Sequence, residues 1–287
     1  MGLIFAFAAL IFWVIGDFNI QKATRVVGDW KSLFYIGLVG LIGIFPFVQN
    51  QVVGIFKTKE FLLLLILVSV VTLASSLFLL EGLKRGKLSV MEPVFGMELP
   101  FTVGFSIFLG GEHLDPLTYV LIAVVFIGLI LVVTRSHQDL HFHKTLLEKG
   151  VIYAAIGSIG MGLTNYLTGL GAQTISPLAT MWFVNLFLAS TCFIYLSIKG
   201  EFTPIADLKK SGGIIFNESI FDNLAWVSYA VSMTLIPISI ATTISESYIV
   251  GSVLLGVFLN KEKIQRHQVF GIVFAIAGIL ILSYLTR

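Results

Sequence analysis

Phe108 to Val132 reads FLGGEHLDPLTYVLIAVVFIGLILV, and 150 residues later Phe258 to Leu282 reads FLNKEKIQRHQVFGIVFAIAGILIL. Without a gap, Phe108, Leu109, Glu112 and Gly128 fall on Phe258, Leu259, Glu262 and Gly278, and each copy runs from an acidic connection into an apolar span. Self-similarity at about half the chain length indicates two related halves, an organisation common in membrane transporters and uncommon in membrane enzymes.

Composition sets the solvent for both halves. Of 287 residues 57% are hydrophobic and 12% charged, and the mean hydropathy is +0.97, which excludes a water-soluble globule. A helix needs about 20 mostly apolar residues to cross roughly 30 Å of hydrocarbon. Ten stretches qualify: residues 3–20, 32–52, 61–82, 88–110, 116–134, 150–170, 177–198, 213–235, 239–259 and 268–285. Strands of alternating polarity are absent, so the expected fold is an all-α membrane protein of ten transmembrane helices rather than a barrel. Met1 to Phe12 carries no basic residue and runs straight into the first span, so it is expected to be a helix of the mature protein and not a cleaved leader. The net charge of +2 gives no nucleic-acid footprint. Cys192, the single cysteine, sits in the seventh span and leaves no disulfide framework or cysteine metal site within one chain.

Every Lys and Arg lies outside the ten spans. All of them except Lys57, Lys59 and Arg287 sit in the connections after spans one, three, five, seven and nine, so the positive-inside rule places those connections in the cytoplasm and both termini outside. Five spans per half is an odd number, so the second half enters the membrane upside down relative to the first. The expected organisation is a first five-helix repeat at 1–134, a polar linker at 135–149 and an inverted second repeat at 150–287. The linker holds His137, His141 and His143, but with Asp139 as the only acid among these histidines and no Cys nearby it reads as a solvated connection and not a metal site.

Helix starts are marked by Asp115 before Pro116 and Ser176 before Pro177, N-caps followed by Pro at the first helical position. Within spans, Pro46, Pro93 and Pro100 each remove a backbone hydrogen bond; Pro100 releases the carbonyl of Gly96, which must then face protein or water. Ala154, Ser158 and Gly162 in span six, and Gly271, Ala275 and Gly278 in span ten, form small-residue faces for close helix packing.

An ionised carboxylate at the bilayer centre costs on the order of 2.5 to 3.5 kcal/mol on insertion scales, so acids there usually serve a cavity. Glu98 lies midway along span four and Glu246 midway along span nine, the corresponding helices of the two halves, and either is a candidate proton or cation site. The gapless register does not pair them: Glu98 falls on Tyr248 and Glu246 on Gly96. Span eight places Asp222, Trp226, Tyr229 and Met233 at i, i+4, i+7 and i+11, and span seven adds Trp182 and Asn185. Aromatic rings with polar tips suit a cavity that holds apolar bodies and cations alike; for Trp30 and Trp226, near span ends, anchoring at the membrane interface is the alternative. Trp13, Gly16 and Asn19 in span one recur in part as Gly162 and Asn165 in span six, both G-x-x-N. Since no Lys or Arg lies inside a span, an anionic cargo would lack a counter-charge, and neutral or cationic solutes fit better. The histidines all sit in connections, no H-E-x-x-H occurs, and no catalytic group, metal or other cofactor is expected.

At the repeated segment the chain resembles the EamA-like members of the drug/metabolite transporter superfamily. The resemblance rests on Phe108-Leu109-Gly110-Gly111-Glu112 with Gly128, on Phe258-Leu259-Asn260-Lys261-Glu262 with Gly278, and on Trp13 ahead of Gly16 and Asn19. It implies ten helices in two inverted halves, passage of small metabolites such as amino acids or other polar solutes by alternating access, and both termini in the cytoplasm, opposite to the charge count.

The expectation is therefore an integral membrane transporter of the plasma or inner membrane. Spans one, three, four, six, eight and nine would surround a midplane cavity whose substrate-binding candidates are Trp13, Asn19, Glu98, Asn165, Trp182, Asn185, Asp222, Trp226, Tyr229 and Glu246. Its partners would be a small-molecule substrate, membrane lipid and a coupling proton or cation, without nucleic acid, in a monomer or homodimer. The alternatives are a passive channel or facilitator and, less favoured, a membrane-embedded enzyme.

Overall fold

The computed structural model describes residues 1–85, 94–134, 149–260 and 264–286, with side chains at all of these except 17–22, 25, 83–85, 149 and 256–260. Eleven helices are present among them: α1 Gly2–Val27, α2 Asp29–Lys57, α3 Lys59–Arg85, α4 Glu98–Phe108, α5 Pro116–Val133, α6 Lys149–Thr174, α7 Pro177–Ile198, α8 Pro204–Ser232, α9 Ile238–Ser245, α10 Tyr248–Asn260 and α11 Arg266–Leu285. No strand occurs among the described residues. Seven spans are long and apolar enough to cross a membrane: α2, α3, α5, α6, α7, the joined α9 and α10, and α11. The described apolar parts of α1 and α4 are shorter, and α8 is diluted by Asn217, Glu218, Asp222 and Asn223. Phe47, Phe108, Ile198 and Phe270 are among many large apolar side chains turned outward, an arrangement suited to lipid and not to water. The expected linker with His137, His141 and His143, together with Glu92, Pro93, Glu262 and the side chain of Asn19, lies outside what is described.

Helix boundaries follow the sequence signals. The Asp115 side chain accepts the Thr118 backbone N–H at 3.1 Å and Ser176 Oγ accepts that of Ala179 at 3.2 Å, with Pro116 and Pro177 at the first helical position. The Thr118 hydroxyl and N–H, in that order, hold the exposed Asp115 carboxyl below its ordinary value. Between α1 and α2 the chain turns at Gly28 with φ of 88°, a conformation that favours glycine. α2 and α8 are longer than the spans expected from hydropathy; α8 gains its first turns beyond a bend at Ser211, where φ is −145° and ψ is 21°.

The interior of span four breaks at Gly96 and Met97 before α4 starts at Glu98, and span nine breaks at Glu246 and Ser247 before α10 starts at Tyr248. The two breaks are 150 residues apart, the register of the repeated segment. Both close with a tight i−3 hydrogen bond, Met97 N–H to the Val94 carbonyl at 3.1 Å and Ser247 N–H to the Ile244 carbonyl at 3.2 Å. Pro100 contributes only to the first, because Val250 occupies the equivalent position, so the break does not need proline. The Val94 carbonyl also accepts Ser158 Oγ at 2.9 Å, which satisfies the loosened backbone from within the protein, as hydrocarbon cannot.

Packing is pairwise and antiparallel. Along α2 and α7, Trp30 stacks on Tyr195, Phe34 meets Phe193, Gly37 abuts Ala189 and Phe45 meets Trp182, so numbers rise on one helix as they fall on the other. α5 and α11 behave likewise, with Gln268 Nε2 donating to the Val132 carbonyl at 2.8 Å, Gly128 against Ala275, and Gly278 against Val125. α3 runs against α6 through Gly82 and Ala154, then Leu79 and Gly157; α1 runs against α8 from Gly16 and Phe221 to Gly2 and Leu235. The small-residue faces read from spans six and ten are these contacts: Gly162 abuts Phe101 and Thr102, and Gly271 abuts Gly128. Close backbone approach without side chains between helices is the usual source of association in lipid.

Candidate functional site

α8 carries polar and aromatic residues through the bundle, and three neighbourhoods open along it. At its C-terminal end the Tyr229 hydroxyl, fully buried, shares a 2.5 Å hydrogen bond with Thr242 Oγ1 of α9. One turn further along, at the span-nine break, Glu246 Oε1 lies 3.5 Å from Asn165 Nδ2 of α6. Asn165 Nδ2 also donates to Thr102 Oγ1 of α4 at 3.2 Å, and Thr102 in turn donates to the Glu98 carbonyl at 2.9 Å. Since Thr102 spends its proton on that carbonyl, it accepts from Asn165, which fixes the orientation of the amide. Asn165 Oδ1 then points into the interior with no hydrogen-bond partner, although the residue is only 1% exposed. A buried acceptor left unsatisfied costs about 1–3 kcal/mol and suits a ligand or water that donates.

The middle neighbourhood is aromatic. Trp13 of α1 meets Trp226 edge-on at 5.5 Å, Tyr229 at 5.4 Å and Tyr248 at 5.8 Å between ring centroids. This cluster separates the Glu246 region from a cavity on the far side of Trp226. The cavity is small, about 30 Å³ of space open to water, and its polar lining comes from Thr72 of α3, Thr168 of α6, Asn185 of α7, and Asp222 and Asn223 of α8. Asn185 Nδ2 donates to Asn223 Oδ1 at 2.8 Å, and Asn223 Nδ2 to the Ile36 carbonyl at 2.9 Å, so the two amides brace α7 and α2 against α8. Glycine at position 40 makes room for them, since a Cβ there would strike both. Among the described residues no Lys or Arg lines the cavity, and no cluster of three or more His, Cys, Asp or Glu suited to a metal occurs.

Of the residues singled out by sequence, Trp13, Asn165, Tyr229 and Glu246 fall together around the span-nine break, while Asn185, Asp222 and Trp226 line the cavity. Trp226 is thus an interior residue and not an interfacial anchor. Glu98 begins α4 beside Thr102, half-buried. Trp182 is not in the cavity lining and packs in an apolar cluster with Ile44, Val48 and Ala230. The cavity walls come from α2, α3, α6, α7 and α8, so spans two and seven join the lining while spans one, four and nine supply the Glu246 region. Sequence reading missed Thr72, Thr168, Asn223 and, most consequentially, Glu218. Glu218 sits one turn before Asp222 on the same face and is fully buried, with Oε1 accepting Ser32 Oγ of α2 at 2.8 Å. Helical period puts it on the Asp222 stripe, but no local signal marks an acid so near the span edge as buried.

Glu112, in the connection after α4, accepts the Ser239 backbone N–H at 3.1 Å and the Ser239 hydroxyl at the first turn of α9. Its role is to hold a helix end, in keeping with its place in the repeated motif.

The sequence profile of the EamA-like transporter family matches residues 1–134 and 148–284. An uncharacterized transporter, YojE, of Bacillus subtilis (strain 168) is 32% identical over 147 residues, which span 48% of this chain and 48% of that protein, so the chain matches about half the length of this relative. A solved crystal structure superposes on 100% of this chain and 97% of its own with a TM-score of 0.79 at 15% identity, a likeness of fold.

Proposed function

Because the chain belongs to the EamA-like transporter family and is a multi-pass integral membrane protein, we propose that it moves a small neutral or cationic polar solute across the membrane by alternating access. In this reading the eleven helices make ten spans, α9 and α10 sharing one, arranged as five-span halves at 1–134 and 150–287 of opposite orientation. The antiparallel pairing of α2 with α7 and of α5 with α11, each partner five spans from the other, supports that arrangement, as does the recurrence of the broken span at a 150-residue interval. Inverted halves can exchange conformations, which opens the interior first to one side and then to the other.

The observation that carries the proposal is the polar interior of α8. Asp222 offers a buried carboxylate beside the Trp226 ring, with the Asn185 and Asn223 amides and two threonine hydroxyls around it. A carboxylate next to an aromatic face recognises a cation or ammonium group, and amides and hydroxyls serve neutral polar parts. Glu246 with Asn165 forms a second polar station beyond the Trp13 cluster, and Glu98 stands at its edge. The absence of lining Lys and Arg disfavours phosphorylated or other anionic cargo.

The test is flux from proteoliposomes loaded with mixtures of amino acids, amines and neutral polar metabolites. Protein-dependent loss of one class is expected, reduced at least tenfold by Asp222→Asn or Glu246→Gln. Flux unchanged in both variants contradicts the assignment. Accumulation above the solute's own gradient under an imposed pH difference separates a coupled transporter from a passive facilitator.

A further inference from the structure

We propose that Glu218 is a buried proton-binding site one helical turn from the cavity-lining Asp222, loaded from the end of the bundle where α2 begins, and that its protonation is linked to the charge at Asp222. Glu218 is 0% exposed. Its Oε1 accepts one hydrogen bond, from Ser32 Oγ at 2.8 Å, and its Oε2 has no hydrogen-bond partner. The adjacent Ser219 hydroxyl, also fully buried, is unpartnered as well. An ionised carboxylate has about four acceptor positions to fill, and leaving most of them empty away from water costs several kcal/mol. A proton on Oε2 removes the charge and supplies a donor where none exists.

The surroundings make Glu218 exchangeable rather than simply neutral. Ser32 follows Lys31 in α2, and Lys31 and Asp207 form an ion pair at 3.0 Å with side chains 17% and 12% exposed, so the solvent-accessible end of the bundle begins at the residue next to Ser32, with Asp207 eleven residues before Glu218 on α8. Thr24 Oγ1 of α1 lies 3.5 Å from Ser32 Oγ and extends the hydroxyl chain. The titratable groups facing this region are Asp222 on α8 itself, Asp29, Lys31 and Tyr35 on α2, and Cys192 and Tyr195 on α7. Lys31 and Tyr35 both donate to Asp207, at 3.0 and 3.2 Å. Cys192 lies in the apolar cluster with Ile215, and Tyr195 stacks on Trp30. α1 adds Asp17, Lys22 and Arg25, whose side chains lie outside the described residues. Among the described residues no charged group is bonded to Glu218 itself.

Asp222 follows at i+4, roughly 6 Å along the same face. Two like charges at that spacing repel, so a negative Asp222 favours the protonated Glu218, and a cation on Asp222 favours its release. For release the carboxyl turns so that its O–H donates to Ser32 Oγ, and the Ser32 hydroxyl turns from Glu218 toward Thr24 Oγ1; the Glu218 O–H bond breaks as a new O–H forms on Ser32, which gives up its original proton along the hydroxyl chain to water, and the reverse steps reload the carboxylate. Coupling to cargo rests on the transporter reading, but the proton site itself does not.

The experiment is pH-difference infrared spectroscopy of the full chain in lipid nanodiscs. A protonated carboxyl band that disappears on alkalinisation is expected in wild type, absent in Glu218→Gln and retained in Glu246→Gln. Ser32→Ala, which removes the one hydrogen bond, shifts the band while folding is kept. In Asp222→Asn its midpoint moves to lower pH by about one to two units. Should Glu218→Gln fail to fold, Glu218→Asp keeps a carboxyl and is expected to give a displaced band in its place. Identical bands in wild type and Glu218→Gln overturn the site, and an unmoved midpoint in Asp222→Asn overturns the linkage. Absence of solute flux with the Glu218 band intact would count against transport and not against the proton site.

Discussion

Glu112 accepts the backbone N–H of Ser239 at 3.1 Å across 127 residues of chain, joining the connection after span four to the first turn of span nine. A carboxylate at that position meets the positive end of the α9 dipole and fills two donors. Glu112→Ala is expected to lower stability by about 1–2 kcal/mol, read as a reduced melting temperature in detergent, and Glu112→Gln by less. An unchanged melting temperature in Glu112→Ala would show that the contact does not hold the helix end.

The α5 and α11 pair depends on the absence of side chains at its crossing. A Cβ at Gly128 would lie 2.8 Å from Ala275 N and from the Gly271 carbonyl oxygen, whereas one at Gly43 meets nothing within 4 Å. Gly128→Leu is therefore expected to destabilise by about 1–3 kcal/mol or more and Gly43→Leu to be near neutral. Equal thermal shifts for the two would contradict the packing.

Asp115 supplies the pH dependence that can be followed outside the membrane. Thr118 holds its carboxyl below the ordinary value, so the capping contribution is full above the unfolded-state value near pH 4 and is lost as pH falls through the lower folded value. Thr118→Val should remove the side-chain part of that depression and move the Asp115 carboxyl resonance, followed by NMR, toward a higher titration midpoint. An unmoved midpoint would mean that the hydroxyl does not act on the carboxylate.

Charge and family resemblance predict opposite orientations. The concentration of Lys and Arg in the odd-numbered connections predicts both termini outside, the opposite of what family resemblance implies. A reporter fused after Arg287 that is active only outside the cytoplasm supports the charge rule, and activity in the cytoplasm supports the family pattern.

The fold was legible wherever a local signal sufficed. Asp115 and Ser176 announced their helices, and the 150-residue register of Glu112 and Glu262 reappears in the breaks at Gly96 and Met97 and at Glu246 and Ser247. The offset of Glu98 and Glu246 from the register has a structural counterpart: Glu246 stands in the break, while Glu98 begins the helix after it. The stripe of Asp222, Trp226 and Tyr229 was visible because helical period alone puts those residues on one face. Glu218 was not, because hydropathy places it near the edge of span eight, where an acid is ordinarily solvated. Its burial is created by Ser32, 186 residues away, a contact that no local pattern encodes. The same holds for the walls given by α2 and α7: their glycines and amides look like ordinary packing until Asn185 meets Asn223.

The claim that the interior is exposed to each side of the membrane in turn can be tested without knowing the cargo. With Cys192 replaced by Ala, a single cysteine is placed at Thr168 in the cavity wall and challenged in sealed vesicles with a membrane-impermeant thiol reagent from either side. The account predicts modification from both sides, and protection on one side when Glu112→Cys and Ser239→Cys are cross-linked before labelling. Modification from one side alone, whatever the state of that cross-link, would contradict it.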